Sequence, residues 1–124
     1  MIDMQATEDE MSKEFAMLYR VIAEAAAENA PDGWVTLLVE AKLFDGYDSA
    51  GFICRNGRGE EHKYDPGFDG FEAVMQAFVR LRDAMASAGR PNWRSARFEL
   101  DASGEFHIDF GYDEPAAIFG ESPN

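Results

Sequence analysis

Between Phe106 and Pro115 the chain reads FHIDFGYDEP, with Phe106, Ile108, Phe110 and Tyr112 at alternate positions and polar residues in the gaps. In an extended strand, side chains two apart share a face at a spacing of roughly 7 Å, so His107 and Asp109 can meet one metal ion or act as an acid–base pair. Two ligands are too few for a metal cage, and the other histidine, His62, sits in a weakly patterned stretch. The expectation is no metal and no cofactor. The same row can instead be the solvated side of a strand, or a surface that grips a partner through Asp109, Asp113 and Glu114 with Tyr112 as an aromatic neighbour. Asp45 and Asp48, in the first turn segment DGYDSAG, form a second acidic cluster that can add to such a surface.

Other candidates for chemistry are weaker. Cys54 has no CxxC partner and reads as a small buried strand residue. RNGRGE resembles a phosphate-binding glycine loop in composition only and reads as a hairpin tip. The five arginines from Arg80 to Arg97 need not converge and suit pairing with nearby acids. Trp34 and Trp93 each follow a proline-containing break and open a strand, where a large ring seals the end of a core. No catalytic constellation emerges, and the chain is expected not to be an enzyme.

These residues must be positioned by elements whose periods are legible. Met11, Phe15, Leu18, Ile22 and Ala25 or Ala26 form one helical stripe over about 8–29, with Thr7 and Glu10 as a capping box and APDG as the stop. Val35, Leu37, Val39, Ala41 and Leu43 alternate over 34–44, a half-buried strand. Phe52 to Arg55 and Glu61 to Tyr64 flank a tight turn at NGRG. Asp69 and Glu72 can cap a second helix carrying Phe71, Val74, Phe78, Leu81 and Met85, which GRP ends at Gly89. Ala96, Phe98 and Leu100, then Phe106 to Tyr112, alternate around the turn DASGE. The order α-β-β-β-α-β-β predicts a single α+β domain over 1–124, a two-layer fold with a mostly antiparallel sheet of about five strands and both helices on one face, residues 119–124 forming a loose tail.

Charge narrows the partners. The 124 residues hold 24 acids and 11 bases, a net charge of −13. Residues 101–124 carry six acids and no base. Direct binding to nucleic acid is disfavoured because phosphate would be repelled, whereas a basic protein would be attracted. One cysteine excludes an internal disulfide, and the start MIDMQATEDE lacks an export signal, so a cytoplasmic location is expected, without membrane association. An acidic adaptor or regulatory domain, a small-molecule binder or enzyme using His107 as a polar handle, and a homodimer sharing an apolar face all stay open at this point.

Several segments together resemble the YezG-like family of bacterial immunity proteins. They are GWVTLLVEAKLFDG after a first helix, FEAVMQAFVRLRDAM in the second, and NWRSARFELDASGEFHIDFGYDEP after a Gly-Arg-Pro break. The matching positions are Trp34, Trp93, Gly104 and Phe106 in the DASGEF turn, and the closing IDFGYDE. The resemblance implies a cytoplasmic antidote that binds and blocks a cognate polymorphic toxin, often a nuclease domain. It assigns no binding residue; Asp109, Tyr112, Asp113, Glu114, Asp45 and Asp48 are expected contacts from charge and strand direction.

Overall fold

A computed structural model describes residues 4–44 and 47–112, with side chains at 13–43 and 48–112. In chain order the elements are α1 (Met4–Glu28), β1 (Trp34–Phe44), β2 (Tyr47–Asn56), β3 (Glu61–Lys63), α2 (Phe68–Ser87), β4 (Ser95–Asp101) and β5 (Phe106–Gly111). The strands form one antiparallel sheet in the order β3-β2-β1-β4-β5, so the longest strand, β1, is central. The expected order and α+β class are those observed.

One face of the sheet carries the core. Leu37, Val39, Ala41 and Leu43 of β1 join Ala96, Phe98 and Leu100 of β4 beneath Leu18 and Ile22 of α1 and Val74, Phe78, Leu81 and Met85 of α2. Each stripe follows the period of its element, and burying it is what joins the two layers. Trp93 is 0% exposed, edge-on to Phe78 and tilted against Phe110. Its indole Nε1 finds no hydrogen-bond partner among the described residues.

Local chemistry sets the boundaries. α2 ends in a Schellman motif: Gly89 takes φ +85°, Arg90 N–H donates to the Met85 carbonyl at 3.0 Å, and Gly89 N–H donates to that of Ala86 at 3.0 Å. NGRGE and DASGE fold into twin three-residue hairpin turns. In each, the first residue accepts through Oδ1 from the backbone N–H two positions on, Arg58 to Asn56 and Ser103 to Asp101, both at 2.9 Å. The left-handed conformation falls on Gly59 and Gly104, the fourth residue of each motif, as a bulged hairpin requires.

Several boundaries depart from expectation. α1 begins at Met4, so Thr7 lies inside the helix rather than at its cap. α2 begins at Phe68 with Gly67 at the cap position and no side-chain cap, because Asp65 Oδ1 holds Gly67 N–H at 2.8 Å and turns the chain early; Asp69 therefore lies in the first turn. β2 starts at Tyr47, so Asp48 belongs to a strand and not to a turn. Val35 is 42% exposed because the ladder slips between Trp34 and Thr36, a bulge that takes it off the core face. Phe106 is 45% exposed, since β5 is an edge strand that the helical layer covers incompletely.

The two helices run antiparallel and are pinned where α1 ends and α2 begins. Asn29 Nδ2 donates to the Pro66 carbonyl at 2.8 Å, and the Tyr64 hydroxyl donates to the Ala26 carbonyl at 2.8 Å. Burial raises the Tyr64 pKa, so this phenol remains a donor across the ordinary pH range.

Candidate functional site

The polar row of β5 lies on the open face of the sheet, away from the helices. Cross-strand register places Asp109 opposite Arg97 and Arg97 opposite Glu40. His107 Nε2 lies 3.2 Å from Asp109 Oδ1, with both side chains largely exposed, and Arg97 reaches Glu40 at 3.6 Å. A shallow hollow of about 360 Å³ opens here, lined by Glu40, Lys42, Arg97, Asp109 and Gly111 among others. The row therefore forms a solvated ionic lattice, and exposed pairs of this kind are each worth at most about 1 kcal/mol. Among the described residues no three His, Cys, Asp or Glu side chains group as metal ligands. Cys54 is a free thiol buried on the core side of β2.

Strand order brings Asp48 and the end of β5, with Tyr112 just beyond it, to one end of the sheet. Asp48 is opposite Leu43, Lys42 opposite Ser95, and Ser95 opposite Gly111, so the start of β2, the end of β1, the start of β4 and the end of β5 lie side by side. At a strand spacing of about 4.8 Å, β2 and β5 are roughly 14 Å apart. Tyr112 follows β5 and is 49% exposed, a free ring at this end. Asp45, Asp113 and Glu114 lie outside the described residues. Asp48 and Asp109 point to opposite faces: Asp48 shares the side of buried Leu43, Asp109 the open side with Arg97. A partner reaching both must wrap the end of the sheet.

On its own side Asp48 borders a groove of about 490 Å³ walled by Phe71, Met75 and Val79 of α2, with Glu72, Gln76 and Arg80 along its rim. This groove does not stand out from motif or charge in the sequence. A signal existed: Phe71, Met75 and Val79 recur every four residues and share Phe71 with the core stripe, and in the structure Met75 is buried while Phe71 and Val79 are half-buried against the core, leaving their outer edges to line the groove. A further hollow of about 530 Å³ lies beside the other sheet edge, where Tyr19 and Phe98 both contact the half-exposed Phe106 ring. Burial raises the pKa of Tyr19, partly offset by the nearby Arg90 cation.

Comparison with known proteins gives this arrangement a context. The family described as immunity protein YezG-like matches residues 15–121, most of the chain. Immunity protein YezG of Bacillus subtilis (strain 168) is 24% identical over 109 residues, covering 78% of this chain and 72% of its own length. The chain belongs to the YezG-like immunity protein family.

Proposed function

We propose that this member of the YezG-like immunity family neutralises a cognate polymorphic toxin in the cytoplasm by occluding it, without performing chemistry of its own. The family match over residues 15–121 carries the reading. Charge refines it: a chain of net charge −13 attracts a basic partner, and a toxin with a cationic phosphate-binding face, such as a nuclease domain, is complementary to it. The contact surface includes the end of the sheet, with Asp109 and Tyr112 on one side and Asp48 on the other; Asp45, Asp113 and Glu114, outside the described residues, are assigned to it from charge and sequence neighbourhood alone. A half-exposed tyrosine among carboxylates supplies an apolar anchor within a polar rim.

Two measurements test this. Co-expression of the chain with a panel of toxin domains should restore growth against one of them; no rescue by a well-expressed chain would reject the immunity role. Charge reversal at Asp109, Asp113 and Glu114 should leave the circular dichroism spectrum unchanged and weaken capture of the rescued toxin by about tenfold or more. Unchanged affinity would reject this surface while leaving the role standing.

A further inference from the structure

β2 is protected along only part of its outer side. β3 pairs with Ile53, Cys54 and Arg55, and Tyr64 N–H donates to the Phe52 carbonyl at 3.0 Å. In an antiparallel ladder, alternate residues direct their N–H and C=O groups to the same side, so Ala50 and Asp48 face outward as Phe52 does. Among the described residues no strand pairs with β2 there. Two outward residues thus present backbone donors and acceptors at the sheet edge, next to the groove walled by Phe71, Met75 and Val79.

We infer that the open half of β2, Asp48 to Gly51, is a strand-addition site that accepts an extended segment of the toxin, with alternate apolar side chains in the α2 groove and a basic residue beside Asp48. The inference rests on the immunity reading above and names where that partner is held. Three observations converge. The edge offers backbone hydrogen bonds, which supply affinity in strand addition, and the adjacent groove offers side-chain pockets, which supply selectivity. Ser49, Ala50 and Gly51 carry small side chains, so a new strand can approach at ladder distance without displacing bulk. Asp48 places a carboxylate at the rim of the groove, matching the cationic partner that the net charge favours.

The opposite edge is less suited. There Phe106 is stacked on Phe98 at a centroid distance of 5.3 Å and contacts Tyr19 at 5.2 Å, so its ring is already engaged by the chain itself. The His107–Asp109 pair also stands on that strand, and a partner strand would have to accommodate it. Open edges ordinarily carry protection, such as charge, proline or a covering element. Among the described residues, the start of β2 has Asp48 alone.

The test uses the full chain and the recombinant toxin domain against which it rescues growth. Hydrogen exchange should show the Asp48 and Ala50 amides slowed by about tenfold or more on complex formation, while those of β5 change little. Ala50→Pro removes an outward N–H that β1 does not use and should weaken binding by at least about tenfold, with a near-native circular dichroism spectrum. Asp48→Arg, at an exposed position, should weaken binding comparably, and it serves as the binding variant should Ala50→Pro fail to fold.

Protection at β5 in place of β2, or a complex formed without protection at Asp48 and Ala50, would overturn the inference. So would a toxin-free dimer in sedimentation whose β2 amides are already protected, since a second copy would then own the edge. Failure of the wild-type chain to rescue against any toxin would bring down the functional reading and this inference together. Rescue with unaltered binding by both variants would remove only the strand-addition site.

Discussion

Gly67→Ala probes the joint that sets α2 against α1, and through α2 the groove beside β2. Gly67 has φ 86° and ψ 158°, a region open almost only to glycine. An added Cβ would lie 2.8 Å from Asn29 Nδ2, too close for contact, and would displace the amide that donates to the Pro66 carbonyl. Backbone strain of about 1–3 kcal/mol and loss of a hydrogen bond worth about 1 kcal/mol act together. Reduced freedom of the unfolded chain returns about 0.4–1 kcal/mol. The net loss should be about 1–3.5 kcal/mol. For 124 residues at about 2.1 cal/mol/K each, unfolding entropy is about 0.26 kcal/mol/K, so Tm should fall by roughly 4–14 °C. Thermal and urea unfolding measure this directly. Gly51→Ala, where nothing lies within 4 Å of an added Cβ and φ is ordinary, is the matched control and should change stability by less than about 0.5 kcal/mol. The double variant with Asn29→Ala should show coupling, because part of the Gly67→Ala cost passes through Asn29. Equal, small effects at Gly67 and Gly51 would refute the argument.

Tyr64→Phe removes only the hydroxyl that donates to Ala26, and it should cost about 1 kcal/mol, or roughly 4 °C in Tm, without altering the sheet by circular dichroism. Asp101 has its pKa lowered, first by the hydrogen bond from the Ser103 hydroxyl and further by surrounding backbone N–H groups. A carboxyl depressed in the folded state contributes stability that is present above its unfolded pKa and lost as pH falls through the folded one. Asp101→Asn should therefore flatten the acid limb of a urea-midpoint-versus-pH curve below about pH 4, and an unchanged limb would exclude the contribution. The toxin association rate should drop by about tenfold or more between 0.05 and 0.5 M salt, with dissociation little changed, when followed by stopped flow.

Elements whose buried face follows one clear period were legible in the sequence. β1 has the bounds its alternation implies, and α2 stops at Gly89 because a left-handed glycine ahead of proline leaves few alternatives. What was not legible depends on pairing. YDSA has no alternation of its own and becomes strand because β1 offers it a ladder from Phe44 outward. Val35 fits the alternation of its strand yet leaves the core at a bulge that only the register with Asn56 and Arg55 reveals. The candidate contacts behaved likewise: their charge was visible, but that Asp48 and Tyr112 share one end of the sheet follows from the order β2-β1-β4-β5, which sequence spacing does not encode.

The distribution of charge separates attraction from contact. On the open sheet face Glu40, Glu61, Glu99, Asp101 and Asp109 stand against Lys42, Arg55, Lys63 and Arg97, five acids to four bases, so this face carries about −1 of the total −13. Much of the remaining field arises elsewhere, including the junction where α1 ends and α2 begins, with exposed Glu24, Glu28, Asp32, Asp65, Asp69 and Glu72. Asp69 suits the positive end of α2, but Glu24 and Glu28 face the negative end of α1, whose last turn has no base. Each such misplaced acid costs roughly 0.3–1 kcal/mol, so fold stability does not account for them. On the function proposed above, acids held against the helix dipole serve a field that acts at a distance on a cationic toxin. The balanced sheet face and the open β2 edge would then discriminate by register and shape, which salt screens far less than it screens the approach.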